Sequence, residues 1–181
     1  MDRYMIAHGA SVYFVTFTVI DWMPVFIEDQ SIAILIESLK YCITQKDLRI
    51  QSYVIMPNHM HAVVFDANGD SNNLHQTLVS FRKFTGQNLS NYLDGKYSKA
   101  ISSVLSGGNL EDRSRRFWQS GWHAEEIFSN KFLEQKVNYL HDNPCRKGLV
   151  RSPQDWRYSS AAFWLDGTSV DLPVTGLDWE E

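Results

Sequence analysis

The first clear pattern in the sequence is a run of alternating apolar residues. Residues 11–20 alternate β-branched and aromatic side chains on both faces, which predicts a strand buried on at least one side. Apolar residues then recur at helical spacing after Asp29 and Ser31, either of which can cap a helix that runs to about Gln45. The pattern thus begins with a strand followed by a helix.

Two apolar runs follow in quick succession. Residues 48–56 and 59–66 each read as a strand, and the intervening Pro57-Asn58 predicts a turn or bulge that makes them an antiparallel pair. A helix is predicted from Asn72 or Asn73, and residues 94–112, rich in Ser, Gly and Lys, predict a long loop or an insertion. Residues 122–128 could form a fourth strand.

The last strong helical pattern begins at Ser129 or Asn130 and runs through Asn143, where Pro144 is expected to stop it. The predicted order of strand, helix, strand, strand, helix, strand, helix favours an α+β fold, a ferredoxin-like antiparallel sheet with helices packed on it. We expect residues 1–165 to form this domain and residues 166–181 to be a C-terminal tail.

Composition narrows the class of protein. A chain of 181 residues with 44% hydrophobic residues can bury one substantial core. The N-terminus lacks the pattern of a secretory signal, and the two cysteines, Cys42 and Cys145, have no disulfide-framework spacing. These features predict a cytoplasmic protein that is not inserted in a membrane. The net charge of −4 argues against coating nucleic acid by bulk electrostatics.

Candidate chemistry starts with the sequence Met56-Pro57-Asn58-His59-Met60-His61. Because side chains alternate along a strand, His59 and His61 should face the same side about 6.6 Å apart, with Met60 on the opposite face. Two imidazoles at that spacing can converge on one divalent ion. A pair of half-exposed strand histidines with no ligand is the other interpretation that this spacing allows.

The helix ending at Asn143 carries a second candidate group. Its apolar stripe is Leu133, Val137 and Leu140, and Tyr139 lies roughly 100° around the helix from that stripe. Asn143 follows Tyr139 by one turn, so a phenol and a carboxamide oxygen are offered on one side. If this side faces the histidines, a metal could polarise a phosphate while the phenol attacks phosphorus. A flanking tyrosine with no such role remains the alternative.

These residues also carry a family resemblance. The segment 57–61, Pro-Asn-His-Met-His, resembles the HUH signature (His, hydrophobic, His), and residues 137–150 resemble the tyrosine-helix signature of the REP-associated tyrosine transposases. Further matches are Phe-Trp-Gln at 117–119 and Asp-Trp-Arg-Tyr-Ser-Ser at 155–160. Together the four motifs, in the order of that family, cover nearly the whole chain up to about Phe163.

The resemblance implies the HUH endonuclease fold and a single-strand DNA endonuclease and strand transferase. Tyr139 would form a 5′-phosphotyrosine link and free a 3′-hydroxyl, while His59 and His61 would hold Mg²⁺ or Mn²⁺ with Asn143 completing the shell. Imidazole ligands by themselves favour Zn²⁺ or other transition metals, so the residue types and the resemblance differ on the metal.

Relatives in this family act on single-stranded or hairpin DNA, which is therefore the expected partner, and some act as homodimers. Bases can stack on aromatic rings, and Arg or Lys can hold phosphates. The candidate DNA-contact residues are Arg82, Lys83, Arg115, Arg116, Trp118 and Arg146. For Trp118 the alternative is packing in the core.

Two other functions fit the same residues. One is a domesticated DNA-hairpin binder that keeps the fold without catalysis, and a covalent protein–DNA adduct would exclude it. The other is a metallohydrolase that uses His59 and His61 without a tyrosine intermediate. In that case Tyr139→Phe would leave cleavage largely intact.

Overall fold

The computed structural model describes residues 12–97 and 117–177, and its centre is a four-stranded antiparallel sheet. The strands are β1 (Val12–Thr18), β2 (Leu48–Met56), β3 (His59–Asp66) and β4 (His123–Glu126), in the spatial order β2-β3-β1-β4. This order and the alternation of strands and helices make the ferredoxin-like arrangement that the sequence predicts, so the predicted fold class is confirmed.

The β2–β3 hairpin follows the sequence pattern closely. β2 and β3 have the predicted bounds, and their antiparallel pairing places Met56 opposite His59 across the Pro57-Asn58 turn. β3 also pairs with β1, where Thr16 lies opposite His61 and Thr18 opposite His59. The histidine-bearing end of β3 therefore lies between two strands that fix its direction.

Two long helices cover one face of the sheet. The helices α1 (Asp29–Gln45) and α2 (Ser71–Lys96) pack against side chains that point to this face, including Met60. The Asp70 side chain caps α2 by accepting hydrogen bonds from the backbone N–H groups of Asn72 and Asn73, at 2.8 and 3.1 Å. This layer holds the larger hydrophobic core and leaves the histidines on the other face.

The helix α3 (Asn130–Arg146) lies on that other face. Its apolar stripe contacts the sheet through the fully buried Leu140, and Ser129 caps its N-terminus as the sequence predicts. The predicted stop at Pro144 is wrong, because the helix continues through Pro144 to Arg146. Proline lacks an N–H group but keeps its carbonyl, and here that carbonyl accepts a hydrogen bond from Leu149 N at 2.9 Å.

The chain after α3 runs along the outer edge of β2 and forms hydrogen bonds with it. Trp156 donates its indole N–H to the carbonyl of Ile55 at 2.9 Å, and Ser160 N donates to the carbonyl of Tyr53 at 3.0 Å. The short helix α4 (Ala161–Asp166) follows, and beyond it Leu172 is buried in the core on the α1 and α2 side. The boundary at residue 165 stays a prediction, while Thr175 N donates to the carbonyl of Ile50 in β2 at 2.8 Å.

The part of the chain between residues 12 and 177, excluding 98–116, contains no helix both long enough and apolar enough to cross a membrane. The predicted loop over residues 94–112 is wrong at its start, because α2 runs to Lys96 and is capped by Tyr97, and residues 98–112 lie outside the described residues.

A buried histidine makes folding sensitive to acid. His141 on α3 is 6% exposed, and its Nε2 lies 2.8 Å from Ser160 Oγ. Burial lowers the pKa of His141 from 6.5 to about 4. Between these pH values His141 binds a proton in the unfolded chain but not in the folded chain. The stability that neutral His141 contributes is therefore fully present above about pH 6.5 and is lost as the pH falls toward 4.

We expect the contribution of His141 to the free energy of unfolding to fall by about 2 kcal/mol between pH 7.5 and pH 5. The measurement is urea denaturation of wild type and His141→Gln at both pH values, since glutamine keeps a hydrogen-bonding group near Ser160 but does not titrate. Equal losses of stability in the two proteins would contradict this assignment.

Candidate functional site

The candidate site lies between the sheet and α3, where both histidines of β3 meet the tyrosine helix. His59 and His61 are each 6% exposed, and their ring centroids lie 4.7 Å apart. The ring of Tyr139 lies 5.5 Å from that of His61. Phe14 of β1 stacks on His61 at 5.2 Å and meets Tyr139 edge-on at 6.1 Å. The sheet and helix thus bring together Phe14, His61 and Tyr139, which are widely separated in sequence.

Hydrogen bonds orient both imidazoles. His59 Nδ1 lies 2.7 Å from Asn58 Oδ1, and the amide nitrogen of Asn58 donates to the carbonyl of Trp22 at 3.1 Å. Since a carboxamide oxygen only accepts, His59 Nδ1 must donate, and Nε2 keeps its lone pair. His61 Nδ1 lies 2.8 Å from Thr16 Oγ1, so Nε2 of His61 is again the nitrogen that remains for a further ligand.

Both histidines are held in the neutral form. Burial lowers the pKa of His59 to about 4, with a smaller contribution from the charge of Lys147. Burial lowers the pKa of His61 to about 3, assisted by His59 and by Lys136. Neutral imidazole is the form that binds a metal ion, so at neutral pH neither ring must lose a proton first.

Tyr139 and Asn143 differ in exposure. Tyr139 is 40% exposed, which leaves its ring partly open to solvent beside the buried histidines. Asn143 is buried, and its amide nitrogen donates to the carbonyl of Tyr139 at 3.2 Å, which leaves Oδ1 as the acceptor end of the group. The amide therefore ties Asn143 to the same turn of α3 that presents the phenol.

Three cations lie near Tyr139 and the two histidines. The guanidinium carbon of Arg146 lies 5.6 Å from the centre of the Tyr139 ring. Lys136 forms an ion pair with Glu125 at 2.6 Å, lies 4.9 Å from the Phe14 ring centre, and acts electrostatically on His61. Lys147 acts on His59 in the same way. Arg146 and Lys147 thus place positive charge near the site, while the charge of Lys136 is balanced by Glu125, in a chain whose net charge is −4.

The other predicted DNA-contact residues do not gather at this site. Arg82 of α2 donates to the carbonyl of Gln119 at 2.6 Å and lies over Phe17, on the other face of the sheet. Trp118 is buried there, with its indole N–H donating to Thr85 Oγ1 at 3.1 Å, which is the core packing that the sequence left open. Lys83 is exposed on α2, and Arg115 and Arg116 lie outside the described residues.

Sequence reasoning missed the groups that surround the histidines. Thr16 and Asn58 orient the rings, Lys136 adds positive charge, and the ring of Trp22 lies 5.8 Å from that of His59. The position of Asn58 directly before His59 was a local signal. Thr16 and Trp22 reach the site only through strand register and a loop, which one sequence does not reveal.

The donor set fits a weakly held divalent ion. Within residues 12–97 and 117–177 no three His, Cys, Asp or Glu side chains come together as a metal-binding group. An ion at the two Nε2 atoms would therefore draw its remaining ligands from Asn143, phosphate oxygens or water. Oxygen ligands of this kind suit Mg²⁺ or Mn²⁺, whereas imidazole by itself favours later transition metals.

Comparison with known proteins agrees with this architecture. No protein-family model matches the chain, and no curated protein matches it by sequence. Among solved structures, a REP-associated tyrosine transposase bound to a REP hairpin is similar over 99% of this chain and 93% of its own, with a TM-score of 0.63 and 16% sequence identity. The chain thus has the fold of a REP-associated tyrosine transposase.

Proposed function

We propose that this protein is a metal-dependent single-stranded DNA endonuclease and strand transferase that uses Tyr139 as its nucleophile. The observation that carries the proposal is the placement of the half-exposed phenol of Tyr139 5.5 Å, ring to ring, from His61, which belongs to a neutral, buried pair of histidines. A core tyrosine would be covered by protein, and a ligand-free histidine pair needs no such neighbour. The fold shared with a transposase supports the same function.

In the proposed reaction the phenolic oxygen of Tyr139 attacks the scissile phosphorus in line with the leaving 3′-oxygen. The new bond is a 5′-phosphotyrosine ester, and the broken bond is that between phosphorus and the 3′-oxygen. The phenol releases its proton, and the leaving oxygen takes one up to become a 3′-hydroxyl. Because the ester keeps the energy of the original bond, a second 3′-hydroxyl can displace Tyr139 and rejoin the strand without ATP.

Other residues have supporting roles in this proposal. His59 and His61 would hold Mg²⁺ or Mn²⁺ through Nε2, with Asn143 Oδ1 as a further ligand, and such an ion supplies Lewis-acid activation of a phosphate oxygen. Arg146, beside the Tyr139 ring, and Lys147 are suited to hold the phosphates on either side of the scissile bond. Local positive charge, and not net charge, would provide the electrostatic attraction.

The proposed substrate is single-stranded or hairpin DNA. The transposase of similar fold is bound to a REP hairpin. A cytoplasmic location and a homodimer, in which one chain's tyrosine helix could serve the other's histidines, remain part of the hypothesis.

The test is incubation of the protein with labelled hairpin oligonucleotides from the sequence flanking its own gene, with Mn²⁺, with Mg²⁺ and with EDTA. We expect a protein–DNA adduct that survives a denaturing gel and forms only with metal. Tight binding without any adduct would replace the proposal with the domesticated hairpin binder, and cleavage without an adduct would replace it with the metallohydrolase.

A further inference from the structure

Trp22 presents an exposed indole beside the histidine pair. The side chain is 57% exposed, and its ring meets that of His59 edge-on, at 5.8 Å and 74°. Tryptophan normally buries most of its large apolar surface. A tryptophan that stays open to solvent next to a buried polar site therefore has a surface available for a ligand.

The backbone at this point adopts an uncommon conformation. Asp21 and Trp22 both have positive φ angles, 53° and 56°, in a short 3₁₀ turn that spans Ile20–Trp22. Left-handed backbone is unfavourable for residues other than glycine, and two such residues in succession persist only where the surroundings hold them. Strain of this kind, close to a candidate active site, indicates that the position of the indole matters.

Hydrogen bonds hold the turn in place. Trp22 N donates to the carbonyl of Val19 at 3.1 Å, and the Trp22 carbonyl accepts from Asn58 Nδ2 at 3.1 Å. The same Asn58 orients His59 through its Oδ1, and Val19 N donates to the Asn58 carbonyl at 2.9 Å. Asn58 therefore links the backbone of Trp22 to the imidazole of His59.

We propose that Trp22 is a stacking platform for one base of the single-stranded DNA, next to the phosphate that Tyr139 attacks. This inference rests on the proposed function. Single-stranded DNA commonly binds by stacking its bases on aromatic rings while cations hold its phosphates. Arg146 and Lys147 supply cations on the α3 side of the histidines, and Trp22 supplies an aromatic face beside His59. Hydrogen bonds already fix the backbone of the turn that carries Trp22, so DNA binding does not have to order that backbone.

The test compares the effect of removing single bases on the affinity of different variants. An abasic site is moved one nucleotide at a time through the single-stranded part of the hairpin oligonucleotide. Affinities are measured in the Tyr139→Phe background, so that no cleavage occurs. Trp22→Leu keeps an apolar side chain over His59 but has no aromatic face, and Trp22→Tyr restores a ring. Tyr41→Leu is the matched control, because Tyr41 is 58% exposed on α1, on the other side of the sheet.

With Trp22 present, we expect the abasic site to weaken binding about tenfold at one position near the cleavage point. In Trp22→Leu this loss should shrink to less than about twofold, while Trp22→Tyr and Tyr41→Leu should retain most of it. An equal loss in Trp22→Leu, or no sensitive position, would overturn the inference. Adduct formation by the protein with Tyr139 intact is assayed separately, so failure of stacking is distinguished from failure of the proposed function.

Discussion

Tyr139→Phe is expected to abolish the covalent adduct and to slow metal-dependent cleavage by at least about 10³-fold. The substitution removes one oxygen atom from a half-exposed side chain, and the remaining ring can keep its edge-on contact with Phe14 and its place under Arg146. The loss would therefore report on the nucleophile, since the fold and the DNA-binding surface are preserved. Adduct formation is followed on a denaturing gel, and DNA affinity is measured in parallel.

The matched control for this variant is Tyr41→Phe. Tyr41 is also an exposed tyrosine, but it lies on α1, across the sheet from the histidines. This variant should form the adduct at the wild-type rate, and Tyr139→Phe should bind the hairpin within about twofold of wild type. If Tyr139→Phe still forms a covalent product, the nucleophile is another residue. If it cleaves the DNA normally without an adduct, a metal-activated water is the nucleophile.

Local pattern was sufficient to predict the elements that carry the candidate site. β2 and β3 are largely apolar runs on either side of a turn, and the period of two placed Met60 in the core layer and both histidines on the other face. The helical period likewise placed Tyr139 off the apolar stripe of α3. These predictions succeeded because each depends on neighbours only a few residues apart.

Local pattern does not identify the partners of residues whose contacts are distant in sequence. Arg82 and Trp118 have the residue types of DNA contacts, yet Arg82 bonds to the Gln119 carbonyl and Trp118 packs under α2. An arginine or a tryptophan has the same local pattern whether its partner is a phosphate, a carbonyl or a hydrophobic core. Only the tertiary structure distinguishes these cases, as it does for Thr16, which reaches His61 across a strand pair.

At Pro144 a local sequence rule predicts the wrong end of a helix. Proline inside a helix usually ends or kinks it, but α3 continues for two more residues. The chain then turns at Gly148, whose φ is 70°, and the Pro144 carbonyl accepts from Leu149 N. This extra half-turn carries Arg146 to the Tyr139 ring, so the continuation past the proline has a consequence for the site.

The second large effect is expected from the histidine pair. His59→Leu and His61→Leu should each reduce metal-dependent cleavage by about 10² to 10⁴-fold at a fixed Mn²⁺ concentration. Leucine has a similar volume but no lone pair, so the change removes a ligand and leaves much of the packing around Phe14 in place. We also expect more Mn²⁺ to be needed for half-maximal cleavage, because in each variant the ion has one protein ligand fewer.

Destabilisation alone must be separated from loss of the metal, and His141→Leu serves this purpose. His141 is buried to the same extent as His59 and His61, but its Nε2 faces Ser160 and not the other two rings. This variant should lose stability without changing the Mn²⁺ dependence of cleavage. Binding of Mn²⁺ to the protein–hairpin complex, followed by electron paramagnetic resonance, should decrease only in His59→Leu and His61→Leu. If both of these variants keep wild-type Mn²⁺ binding and cleavage, the ion is held elsewhere. The two imidazoles, which hydrogen-bond to Asn58 and Thr16, would then have no part in the reaction.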